Sequence, residues 1–139
     1  MKENQVTKNA NLIRTDFSDE NIWKEVLKTI TTPSKDYGFV SYVTPINDIE
    51  NQFKTPEHLI ANLPKDYKFS FLILFDSLTV IHKDNILLCV DLSDKQHKSF
   101  RVKPCDLWMI ENNLSVANMD FEEFSTSLDS NQIFDGFKQ

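Results

Sequence analysis

Two runs of this chain place amides, carboxylates and an arginine where they could hold a polar ligand or a partner. The first is Glu111-Asn112-Asn113, followed by Asn118 and Asp120. Amides and carboxylates gathered at a helix end can hydrogen-bond a polar ligand or a protein surface. The same spacing also suits capping alone: Asn113 can close one helix in a left-handed turn, and Asp120 with Glu123 has the capping-box interval. The second run is Arg14 and Asp16, alternate residues at the end of an apolar strand and just before a helix start. Loops at the carboxyl ends of strands are where α/β proteins place ligands. The competing reading is an internal bridge from the planar guanidinium to a carboxylate of the last helices, such as Glu111. With Trp108, these residues would line a polar pocket around Arg14, Asp16, Glu111, Asn112 and Asn113, the mark of an enzyme or small-ligand receptor.

Other reactive groups lack a motif. His58, His82 and His97 are far apart and none has paired metal-ligand spacing. Cys105 lies beside Lys103 in the first turn of a predicted helix, where a thiol can be activated, but Asp106 opposes the thiolate. Cys89 reads as a core residue of its strand. Lys95, His97, Lys98, Arg101 and Lys103 form a basic hairpin with Phe100 interleaved. That pattern could contact phosphate or an acidic surface, and it equally suits protection of an edge strand. No catalytic residue, metal or cofactor is therefore expected.

Charge is segregated. The formal net charge is -6, and residues 106–139 hold seven acids (Glu122 and Glu123 among them) against Lys138 alone. Residues 1–105 balance. Such an end should present a negative field that selects basic partners and speeds their arrival. Nucleic acid is a poor partner for an acidic chain, because its affinity rests on Lys and Arg neutralising phosphates. With two glycines in 139 residues, neither a Walker nor a Rossmann phosphate loop can be built. No apolar run approaches the ~20 residues of a membrane span, and two cysteines fit a reducing cytoplasm better than a disulfide scaffold.

The elements that must position these groups alternate. The first ten residues are polar and expected to be loose; one domain is expected over 11–139. Asn11 to Phe17 reads as a strand, with Ser18 capping a helix whose face is Ile22, Trp23, Val26, Leu27 and Ile30. Phe39 to Val43 reads as a second strand closed by Pro45. A polar stretch, Asn47 to Lys54, precedes a helix capped by Thr55 with Pro56 in its first position. Phe69 to Phe75 and Ile86 to Leu92 suit central strands buried on both faces. Ser99 to Lys103 alternates with Phe100 and Val102 inward. Helices follow from Pro104 and from Asp120. The order predicts an α/β or α+β sandwich, a mixed sheet of about five strands with helices packed on it.

Several segments resemble an uncharacterised domain family of bacteria and some fungi. They are Ile13-Arg14-Thr15-Asp16-Phe17-Ser18-Asp19, Gly38 to Pro45, Thr55-Pro56-Glu57, Leu63 to Tyr67 and Ser70-Phe71-Leu72. Phe100-Arg101-Val102, Leu107-Trp108, Glu111 to Ser115 and Ala117 to Phe121 continue it. The resemblance implies one domain from about Asn11 to Phe137 and carries no activity to any position. It also implies no fixed cysteine at Cys105. The expectation is a small binding domain of immunity-protein or inhibitor type, docking a basic protein through its acidic C-terminal helices. Self-association, basic hairpin to acidic helices, is a further possibility.

Overall fold

A computed structural model describes residues 8–115 and 119–134. Asn118 lies outside the described residues. Six strands form one mixed sheet in the order β2-β1-β3-β4-β5-β6. They are β1 (Ala10–Arg14), β2 (Val43–Ile46), β3 (Phe71–Phe75), β4 (Leu87–Asp91), β5 (Ser99–Val102) and β6 (Ile133–Phe134). β1 runs parallel to both β2 and β3, β4 is antiparallel to β3 and to β5, and β5 is parallel to β6. Among the described residues there are five α-helices: α1 (Glu20–Thr31), α2 (Pro56–Ala61), α3 (Ser77–Ile81), α4 (Leu107–Ser115) and α5 (Phe121–Ser125). None is long and apolar enough to cross a membrane.

The continuous apolar run of β3 is explained by burial on both sides. Phe71, Ile73 and Phe75 enter a large core with Trp23, Val26 and Ile30 of α1, Leu107 and Ile110 of α4, and Phe121 and Phe124 of α5. Leu72 and Leu74 face the other way, into a smaller core closed by Leu59 of α2. A period of two then carries apolar side chains to both faces, the pattern of a strand covered on each side.

Local chemistry sets the helix starts. Asp19, not Ser18, caps α1, accepting the Ile22 N–H. Thr55 caps α2 ahead of Pro56, and Asp120 with Glu123 closes a full capping box on α5, both as expected. Three further features depart from the sequence pattern. The second strand begins at Val43, so Pro45 sits inside it; β2 is an edge, where a missing N–H removes no ladder bond. The short helix α3 follows no apolar period, although Asp76 and Thr79 form a capping box for it. Nor does β6, which covers β5, so the basic hairpin is not the sheet edge.

Candidate functional site

Glu111 and Asn112 act together, and they act on a loop. Glu111, an acid, is only 3% exposed. One oxygen accepts the Tyr42 N–H and the Asn112 amide, and the other accepts the Ser115 hydroxyl. The Asn112 amide also donates to the Val40 carbonyl at 3.0 Å. The α1–β2 loop is thereby gripped on both sides of Ser41, whose N–H donates to the Ile30 carbonyl. At its tip Gly38 adopts φ +72°, and its N–H closes back on the Ser34 carbonyl. That left-handed turn suits glycine.

The gripped loop presents aromatic rings outward. Tyr37, Phe39 and Tyr42 are 66%, 50% and 60% exposed. Phe39 stacks on Trp108 at 5.4 Å between centroids, and Tyr37 meets the same indole at 5.6 Å. Beside them a half-open cleft of about 480 Å³ lies between α1 and the start of α4, lined by Lys28, Pro33, Tyr37, Cys105 and Trp108. Its rim carries Glu25, Asp36 and Asp106 as well as two lysines. Burial, followed by the adjacent Asp106 carboxylate, pushes the Cys105 thiol up despite Lys103. It is therefore a weak nucleophile at neutral pH. His97 does not serve it, because its ring is held by the Asp91 carbonyl within its own hairpin. Cys89 is fully buried in the core.

Arg14 and Asp16 stand at the other end of β1. The expected bridge from Arg14 to Glu111 is not made. Arg14 pairs instead with Glu20 at 2.8 Å, and bonds the Asn47 side chain and the Asp16 carbonyl. Its guanidinium lies 4.5 Å from the Phe17 ring centroid and 5.2 Å from that of Trp23. Two observations place Glu111 at the opposite end: its partner Tyr42 precedes Val43, and Val43 pairs with Ala10. Roughly 16 Å of strand separates the two groups at about 3.3 Å per residue. One pocket shared by Arg14, Asp16, Trp108 and Glu111 is not formed. The Asp16 carboxylate accepts from Ser18 and Ser77. Burial alone would raise its pKa, but these hydrogen bonds and the Arg14 charge outweigh it and hold the carboxyl below its usual range.

The remaining predicted residues divide between surface and scaffold. Asp120, Glu122 and Glu123 are exposed on α5, whose Phe121 and Phe124 turn inward. Glu111 is withdrawn from that acidic surface, and Asp129 accepts the N–H groups of Asn131 and Ile133. Asn113 does not end its helix, which continues to Ser115; its amide donates to the Met109 carbonyl. Arg101 of the basic hairpin makes a two-pronged pair with Asp76 at 2.7 and 2.8 Å. The exposed ring set is hidden in the sequence because Phe39 to Val43 has the composition of a strand. The available signal was aromatic residues flanking a lone glycine, Tyr37-Gly38-Phe39, which a turn would expose.

Comparison with curated proteins gives no match. The model of the domain of unknown function DUF6924 matches residues 9–137, nearly the whole chain. With the resemblance seen along β1, α4 and α5, this shows that the chain belongs to the DUF6924 family.

Proposed function

We propose that this chain is a non-catalytic protein-binding module of the immunity or inhibitor kind, docking a partner with a basic surface. The observation that carries the reading is the contiguous ring set of exposed Tyr37 and Phe39 packed on partly exposed Trp108, on a loop that buried Glu111 holds at Tyr42. Tyrosine and tryptophan are the commonest energetic anchors of protein interfaces. Their π faces also accept guanidinium and ammonium groups. The net charge of -6 and the exposed Asp120, Glu122 and Glu123 would steer a basic partner inward over long range. The reading assigns the chain to the cytoplasm, where free Cys89 and Cys105 would stay reduced.

The test compares capture from the host lysate at low salt by the wild type and by Tyr37→Ser/Phe39→Ser. These side chains face solvent, so the fold should survive their loss. A protein retained by the wild type and lost from the variant supports the reading; equal capture by both forms removes it.

A further inference from the structure

A second apolar surface lies at the opposite end of the sheet, beyond the carboxyl ends of β1, β2 and β3. Phe53 is 68% exposed and Ile49 59%. Both belong to the stretch after β2 that reads from the sequence as merely polar. Leu78 and Ile81 add exposed apolar surface on α3, which follows β3. Phe53 is held here by its own N–H, which donates to the Thr15 carbonyl at 2.8 Å. It takes φ +59° to do so. A bulky side chain is disfavoured in that left-handed region, and a phenyl ring gains little from water. The Thr15 hydrogen bond accounts for the turn, but packing within the fold does not account for a phenyl ring left in water there.

The surrounding charge states what would cover this surface. Arg14 is matched by Glu20. Asp19, Asp48 and Glu50 also stand at this end, and none of the three has an ion pair in the described residues; Asp19 and Asp48 accept only backbone N–H groups, whereas Asp16 is buried and held by Ser18 and Ser77. Lys54 is the adjacent base. A second copy docking through the same face would oppose carboxylates to carboxylates, and nucleic acid or anionic lipid would be repelled in the same way. A cationic polypeptide with apolar side chains satisfies both the rings and the charges.

We propose that Phe53 and Ile49, ringed by Asp19, Asp48 and Glu50, form a second docking surface for a lysine- or arginine-bearing segment of a partner protein. The proposal rests on the reading of a basic partner, but it uses a face separate from Tyr37, Phe39 and Trp108. It is tested with the full chain, ¹⁵N-labelled, titrated with a capped synthetic peptide of alternating arginine and leucine. The largest amide shifts are expected over Asp48–Lys54 and Asp16–Glu20. Phe53→Gly keeps the left-handed backbone and removes the ring; it should raise the urea midpoint and weaken peptide binding about tenfold or more, the size of an interface anchor. Glu50→Lys should weaken it further and flatten its salt dependence. Unchanged binding by Phe53→Gly, or no shifts at millimolar peptide, overturns the proposal. Shifts confined to Tyr37–Tyr42 overturn it while leaving the aromatic-face reading standing. Shifts at Asp48–Lys54 with none at Tyr37–Tyr42 support it and count against that reading.

Discussion

Glu111 and Tyr42, 69 residues apart, are joined by one hydrogen bond from the Tyr42 backbone to a buried carboxylate. The bond explains why an acid sits inside α4. It satisfies a backbone donor at the entrance to β2 and, with Asn112, decides where Tyr37, Phe39 and Tyr42 point. A glutamate that reads as part of an acidic surface is instead the fastening of an aromatic one.

Replacing Glu111 by alanine leaves the Tyr42 N–H and the Ser115 hydroxyl without their acceptor. The expected cost is about 2–4 kcal/mol, from orphaned donors formerly paired with a charged group. Urea unfolding followed by tryptophan fluorescence measures it, and Asn112→Ala should cost less, about 1 kcal/mol. In both variants the 37–42 amides should exchange faster with solvent than the β3 amides.

Asp76 and Arg101 make stability sensitive to acid. Burial works to raise the Asp76 carboxyl, but the Arg101 fork and the Thr79 hydrogen bonds outweigh it and hold the pKa below the usual value. A pKa lower in the folded than in the unfolded state gives stability that is present above the unfolded value, about 4. It is lost as pH falls through the folded value. The urea midpoint should therefore be level from pH 7 to 5 and fall below about 4. Arg101→Met should cost about 2–3 kcal/mol at pH 7 by leaving a mostly buried carboxylate unpaired. Its deficit against wild type should narrow with acid as Asp76 protonates.

Tyr67 gives the opposite sign at the alkaline end. Its hydroxyl accepts the Asn11 N–H at 3.0 Å and donates to the Phe71 carbonyl at 2.9 Å, tying β1 to β3. Burial pushes its pKa up to about 12. A raised folded pKa gives stability that is complete below the unfolded value of about 10 and is lost as pH rises toward the folded one. Tyr67→Phe should cost about 1–3 kcal/mol at pH 7. It should also lack the wild type's further decline between pH 10 and 12, seen in the same urea series.

Ser41 offers a substitution that improves the fold. Its hydroxyl is the buried side-chain polar atom without a hydrogen-bond partner among the described residues. Ser41→Ala removes an unpaired group and leaves the Ser41 N–H bond to Ile30 in place. Stability should rise by about 0.5–1.5 kcal/mol, and a thermal melt that falls instead would show that the hydroxyl is paired in solution.

Charge reversal at Glu122 and Glu123 separates steering from holding. Both side chains are exposed, so the double lysine variant should still fold, at a cost of about 1–2 kcal/mol from losing the Glu123 half of the capping box and the acids of the first turn of α5. Its association rate with a captured partner should fall at low salt and converge with wild type at 1 M salt, where the Debye length is about 3 Å. Dissociation should change little, because rim charges act mainly on arrival.

Much of the architecture is legible without coordinates. The period-two burial of Phe71 to Phe75, the Thr55-Pro56 helix start and the Asp120–Glu123 capping box all depend on residues within a few positions of one another. Geometry at that range is dictated by the backbone itself, so pattern and structure agree. The two-residue strand β6 has no such pattern, since it is too short to show a period, and Tyr37 to Tyr42 can be read as strand or loop until Glu111 grips it.

The partners of the charged groups were decided elsewhere. Arg14 could have bridged to the last helices on sequence grounds. It takes Glu20 and Asn47 because β1 and β2 are parallel and bring their carboxyl ends together, while Glu111 is carried to the far end of the same strands. The sequence by itself determined most of the strands and helices, though not α3, β6 or the start of β2, and that the chain carries excess negative charge. Only the tertiary structure decided which acids face inward and which rings face water, because a buried charge is tolerable only where distant segments supply its hydrogen bonds.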